Sequence, residues 1–173
     1  MRGIITFLIS ALFFFLQLML APAISIFGAK IDFIVISVTV SAFYIKKWYA
    51  PVICGLYSGL VLDILTQAGT FINTVMYPVF AILVFLFVSF VNEKNFVFFS
   101  LTNAALVALK YLVLIFVLYI MRLSEHLTLM TFVLGLPSVL YTLVAALGIY
   151  FVVDKLFSMP FMAEKKEEGR RYI

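Results

Sequence analysis

Residues 55–63 (GLYSGLVLD) place two glycines and an aspartate at fourfold spacing inside an apolar stretch that covers residues 50–70. An α-helix makes one turn in about 3.6 residues, so Gly55, Gly59 and Asp63 fall on one stripe, with Ser58 beside it. Small residues let a second helix approach closely, and a carboxylate that faces lipid costs several kcal/mol by most estimates. We therefore predict that Gly55, Ser58 and Gly59 form a helix-packing or partner interface, and we expect the rest of the chain to pack on this helix.

The composition places that helix in a membrane. The chain has 173 residues, of which 66% are hydrophobic and 12% are charged, whereas a soluble domain has roughly 25% charged residues. No stretch between the apolar runs is long enough to fold as a separate soluble domain. The net charge of +4 is expected to report membrane topology and not nucleic-acid binding.

Six apolar runs follow one another along the chain. They predict an all-α, polytopic membrane protein with six transmembrane helices in residues 1–155, followed by a charged cytoplasmic tail in residues 156–173. Five spans remain an alternative if the short second run is only partly inserted. The predicted helices cover residues 4–27, 31–45, 50 to an end within 66–69, 71–91, 96–121 and 129–153.

The basic residues are distributed unevenly between the turns. With six spans and both termini in the cytoplasm, only Lys30 and Arg122 lie outside. This asymmetry predicts cytoplasmic termini, because basic residues collect on the cytoplasmic side. The residues placed inside are Arg2, Lys46, Lys47, Lys94, Lys155, Lys165, Lys166, Arg170 and Arg171.

Asp63 and Lys110 are the two ionisable residues predicted to lie within the spans. From the cytoplasmic ends of their helices they lie about 20 Å and 21 Å deep at about 1.5 Å per residue. A buried ion pair between them is one interpretation, because it would explain how each charge is tolerated. A proton or cation relay is a second, since charges inside a membrane are functional candidates. In a third interpretation, the two residues face different cavities.

Catalytic chemistry is not indicated. The single histidine, His126, and the single cysteine, Cys54, fall in different segments, so no Ser/His/Asp or Cys/His arrangement forms. His126 and its neighbour Glu125 are too few ligands for a metal site. We therefore predict a protein that is not an enzyme and has no metal and no cofactor.

Several further features occur in a familiar order. A Leu-Ala-Pro end of the first helix and an acid that opens the second span precede a basic turn, and a tyrosine follows the glycine and aspartate helix. In this order and in size the chain resembles the family of the rod-shape-determining protein MreD, although Ile31 stands where family members often have proline. The residues concerned are Leu20, Ala21, Pro22, Asp32, Gly55, Gly59, Leu60, Val61, Leu62, Asp63, Gly69 and Tyr77.

The resemblance implies a non-enzymatic scaffold of the bacterial cell-elongation complex, which determines rod shape. Such a protein lies in the bacterial cytoplasmic membrane and binds MreC, a single-span protein with a large periplasmic domain. It is linked to the actin-like MreB and to the enzymes of peptidoglycan synthesis. Whether the glycine stripe contacts MreC or another helix of this chain stays open, with an internal contact slightly favoured.

The MreD family also resembles the six-helix substrate-binding components of energy-coupling-factor vitamin transporters. A small-molecule (vitamin) binding component of a transporter is therefore the alternative function. The Ala-x-x-x-Ala docking surface of those components is missing, because Ala11 is followed four residues later by Phe15. A vestigial pocket is predicted near the external helix ends, lined by Asn73, Tyr77 and loop residues that include His126.

Overall fold

The part of the chain that the structure describes folds into six α-helices. The computed structural model describes residues 2–26, 28–45, 47–66, 71–91, 95–120 and 125–159, with the side chains of residues 2–6 and 125–128 left out. These residues form α-helices and, in the connection between the first and second helices, one isolated β-bridge between Ile26 and Ala29. The predicted all-α class is confirmed. The helices are α1 (Arg2–Ala23), α2 (Phe33–Tyr44), α3 (Tyr49–Thr66), α4 (Ile72–Val91), α5 (Phe96–Ile120) and α6 (Glu125–Phe157).

Four of the helices are long and apolar enough to cross a membrane. They are α3, α4, α5 and the Leu129–Phe157 part of α6. The described apolar parts of α1 (Phe7–Ala23) and of α2 are shorter. The four long helices indicate a membrane protein, and six complete spans stay a prediction.

The shortest helix, α2, is the centre of the bundle. All of its 12 residues are buried, and it contacts each of the other five helices. Its sequence suits this position, since a helix that is apolar on all sides can be buried on all sides. The polar Thr39 and Ser41 donate their hydroxyl hydrogens to the carbonyls of Val35 and Ser37, 2.9 Å and 3.0 Å away, within the same helix. Our expectation that the chain is organised around α3 was therefore wrong.

α3 and α4 pack with almost no side-chain atoms between their backbones. A Cβ atom added at Gly55 would lie 2.8 Å from the carbonyl carbon of Tyr77, and one added at Gly59 would overlap the carbonyl oxygen of Asn73. Ser58 is buried on the same face of α3. The glycine stripe is thus covered by α4, a helix of its own chain.

α5 and α6 form the second closely packed pair. Gly135 of α6 faces the ring of Tyr111, where an added Cβ would lie 3.1 Å from Cγ. α6 is also longer than the predicted 129–153, because it begins at Glu125 and ends at Phe157. Lys155 in the last turn suits the helix dipole. The predicted loop that contains His126 was therefore wrong over residues 125–128, which are helical.

The turn between α1 and α2 is longer than predicted. α1 ends at Ala23, one residue after Pro22, and α2 begins only at Phe33. Gly28 lies in this turn with φ at 85°, a conformation that side-chain-bearing residues rarely adopt. The turn leads directly into the buried start of α2.

Candidate functional site

Asp32 begins α2 and is almost completely buried. Its Oδ1 accepts a hydrogen bond from the backbone N–H of Val35 at 3.1 Å, which is the N-cap arrangement that starts many helices. The helix dipole also favours a negative charge at this end. Asp32 thus provides the local reason for α2 to begin where it does.

Lys110 of α5 forms an ion pair with this carboxylate. Its Nζ lies 2.5 Å from Oδ2 of Asp32 and donates a second hydrogen bond to the hydroxyl of Tyr77 at 2.7 Å. The Tyr77 hydroxyl in turn donates to the same Oδ2 at 3.4 Å. The ammonium also lies 5.0 Å from the centre of the Tyr77 ring. Asp32, Tyr77 and Lys110 therefore form a closed triangle, which we call the α2 cap triangle.

Backbone N–H groups around the start of α2 are bound by side chains of two further helices. Thr142 Oγ1 of α6 accepts from the N–H of Asp32 at 3.1 Å. Gln17 Oε1 of α1 accepts from the N–H of Phe33 at 2.7 Å. Together with Tyr77 of α4 and Lys110 of α5, these contacts connect the start of α2 to four helices.

The triangle is poorly hydrated. The side chain of Lys110 is 15% exposed and that of Asp32 is 8% exposed. Removing two charges from water is costly, and their attraction compensates for it only when further hydrogen bonds are made. Val35 and Tyr77 supply those bonds to the carboxylate. These contacts join α2 to α1, α4, α5 and α6 and can therefore fix the relative positions of five helices.

Asp63 belongs to a separate site at the start of α4. Its Oδ1 accepts from Asn73 Nδ2 at 2.7 Å. Its Oδ2 accepts from both the backbone N–H and the hydroxyl of Thr74, each at 2.7 Å. Thr74 is the third residue of α4, so Asp63 caps α4 from the neighbouring helix.

The predicted ion pair between Asp63 and Lys110 was therefore wrong. The estimate of depth was not sufficient, because equal depth brings two residues together only if their helices are neighbours. In the described part of the chain α3 and α5 are not in contact, and α2 and α4 contact both of them. Each charge meets a partner on one of these intervening segments.

Two residues of the predicted vestigial pocket, Asn73 and Tyr77, bind different groups. Asn73 binds Asp63, and Tyr77 binds Asp32 and Lys110. The side chain of His126 lies outside the described residues. Asn73 and Tyr77 are thus engaged in contacts between helices.

Asp32 is the site residue that reasoning from the residues alone missed. We had assigned Asp32 no role beyond that of the acid that opens the second span. The available signal was an Asp immediately before an apolar run, which is typical of an N-cap. Among the described side chains, no group of three or more His, Cys, Asp or Glu residues is arranged as a metal site.

Comparisons with protein-family models, with curated proteins and with solved structures gave no match. The resemblance to the MreD family therefore depends on the order of motifs in the sequence. The structure contributes the geometry of those motifs: the glycines lie against α4, the aspartate caps α4, and the acid before the second helix pairs with Lys110.

Proposed function

We propose that this chain is a non-enzymatic membrane scaffold of the MreD kind, which binds an MreC-like single-span partner and helps to link MreB to peptidoglycan synthesis. The observation that carries the proposal is how its buried charges are used. Asp32, Lys110 and Asp63 are all engaged by groups of their own chain. Such contacts suit a bundle whose task is to keep a fixed shape.

The outer faces of the bundle favour the same function. On α6, Phe132, Leu136 and Leu140 are each about three-fifths exposed, at 59%, 63% and 59%. Phe15 on α1 is 61% exposed. In a bilayer these apolar faces meet either lipid or the transmembrane helix of another protein. A partner with a single span would bind to such a face.

The alternative, a vitamin-binding component of a transporter, receives less support from the geometry. Its predicted ligand groups, Asn73 and Tyr77, already bind acidic side chains of the bundle. A ligand would have to displace these internal hydrogen bonds. The scaffold function requires no such change.

Affinity purification of a tagged copy from its native host in mild detergent, with bound proteins identified by mass spectrometry, tests the proposal. A tagged polytopic membrane protein of similar size is the control for unspecific recovery. We expect MreC and enzymes of wall synthesis to be enriched over that control. Recovery of a paired ATPase module, or of a tightly bound small molecule without MreC, would instead support the transporter function.

Crosslinking can then locate the partner. A photoreactive residue is placed at Leu136 on the exposed face of α6 or at Phe15 on the exposed face of α1. The matched control is the same residue at Val79 of α4, which is 46% exposed. A crosslink to MreC from one position and not from the others identifies the contact face. Equal crosslinking from all three positions would indicate unspecific collisions in the membrane.

A further inference from the structure

A cavity of about 220 Å³ lies between α1, α2 and α3, beside the turn that connects α2 to α3. Its walls are mostly apolar. They include Phe7 and Ala11 from α1, Ile45 at the end of α2, and Ile53 and Tyr57 from α3. The cavity thus has the lining of a site for a hydrocarbon group.

The serines and the cysteine in the lining already have partners. The thiol of Cys54 donates to the hydroxyl of Ser10 at 3.0 Å. Ser41 donates to the carbonyl of Ser37, also at 3.0 Å. Because these groups are engaged, the cavity offers water few hydrogen bonds, and apolar cavities of this kind stay dry. An apolar occupant would restore the van der Waals contacts that an empty space lacks.

One end of the cavity is marked by interfacial residues. Tyr49 lines the cavity, and the Nζ of Lys47 lies 5.7 Å from the centre of its ring. Trp48, between them, is 61% exposed. Aromatic and basic residues in this combination typically lie at the level of lipid headgroups. No carboxylate among the described residues forms an ion pair with Lys47, so its charge is available.

We propose that this cavity holds one acyl chain of an anionic phospholipid, whose headgroup phosphate binds Lys47. In a bilayer the acyl chain is the apolar group present at the highest concentration next to the cavity. The lining of α3 extends from Tyr49 to Tyr57, which is about 12 Å of helix and accommodates the part of a chain nearest its headgroup. The positive charge of Lys47, next to Tyr49 in the lining, favours a negative headgroup. This site is independent of the scaffold function.

Native mass spectrometry of the purified full-length protein tests the site. Phosphatidylglycerol and phosphatidylcholine with identical acyl chains are titrated separately, and the dissociation constant of the first bound lipid is measured. We expect the first phosphatidylglycerol to bind more tightly than phosphatidylcholine. Lys47→Gln should weaken that preference by about fivefold, the factor expected for one basic residue near an anionic surface.

A second variant tests the cavity itself. Ala11→Phe places a ring in the space assigned to the acyl chain and should remove the tightly held first lipid of either headgroup. Val144→Phe, at a position of α6 that is 65% exposed, is the control and should bind lipid as the unaltered protein does. Equal affinity for the two lipids in the unaltered protein would overturn the proposed selectivity. Unchanged lipid binding in Ala11→Phe would overturn the assignment of the cavity.

Discussion

Replacing Lys110 by methionine removes the cation of the α2 cap triangle and leaves the Asp32 carboxylate unpaired. Breaking a buried pair in this way costs about 3–5 kcal/mol. We expect the lower end, about 3 kcal/mol, because Oδ1 keeps its bond from Val35 and Oδ2 keeps the Tyr77 hydroxyl. Lys110→Met should therefore remove a large part of the free energy of unfolding, which is about 5–15 kcal/mol for native proteins.

A double-mutant cycle isolates the pair itself. Asp32→Asn keeps an N-cap residue but leaves the Lys110 ammonium without its counter-charge. The double variant Asp32→Asn/Lys110→Met contains neither charge, so it should be more stable than the sum of the single losses predicts, by about 1–3 kcal/mol. Lys110→Met combined with Asp63→Asn is the matched control, because Asp63 and Lys110 share no partner. Its two losses should add to within about 0.5 kcal/mol.

Unfolding in mixed detergent micelles, followed by the fluorescence of the single tryptophan, Trp48, measures the three single and the two double variants. Helix content from circular dichroism is the second probe, since two coincident transitions support two-state behaviour. Additive losses in the Asp32 cycle would refute the assignment of the pair. Strong coupling between Asp63 and Lys110 would refute the separation of the two sites.

Two further predictions concern the contact between α3 and α4. Gly59→Ala should lower stability by about 1–3 kcal/mol because its Cβ meets the backbone of Asn73, whereas Gly148→Ala, with no atom within 4 Å, should be neutral or raise stability by up to about 1 kcal/mol. Thermal melting in detergent compares them, and an equal loss at Gly148 would contradict the packing argument. Asp63→Asn should lower stability by about 1.5–3 kcal/mol. The NH2 group of the new amide would face a group that donates a hydrogen bond to the carboxylate in the unaltered protein, so two donors would meet. Faster hydrogen exchange at Thr74 would report that loss locally, and unchanged exchange would contradict the proposed cap.

The helices themselves could be predicted with good accuracy from the sequence. α3 was predicted to within one residue at its start, and α4 and α5 to within one residue at either end. Long apolar runs with short polar interruptions give this information directly. The errors occur at α1, α2 and α6. Polar residues continue α6 beyond both of its predicted ends, whereas apolar residues lie beyond the end of α1 and beyond both ends of α2.

The contacts between helices were harder to predict. The stripe of Gly55, Gly59 and Asp63 was correctly expected to face protein, because every member restricts what can lie beside it. The partner of Lys110 was not, because depth along a helix says nothing about which helices are neighbours. The central position of α2 also depends on the arrangement of all the other helices. Its only signal in sequence was an apolar run without a charged residue.

The burial of α2 constrains how the protein is assembled in a cell. At about 1.5 Å per residue its 12 residues measure about 18 Å, well short of the roughly 30 Å of hydrocarbon in a bilayer. Two of the groups that bind its start lie far along the chain, since Lys110 follows Asp32 by 78 positions and Thr142 follows Asp32 by 110 positions. A ribosome synthesises α2 long before these partners exist. The second helix can therefore reach its final position only after the sixth has been made, and nascent chains that end before Thr142 should lack a stably seated α2.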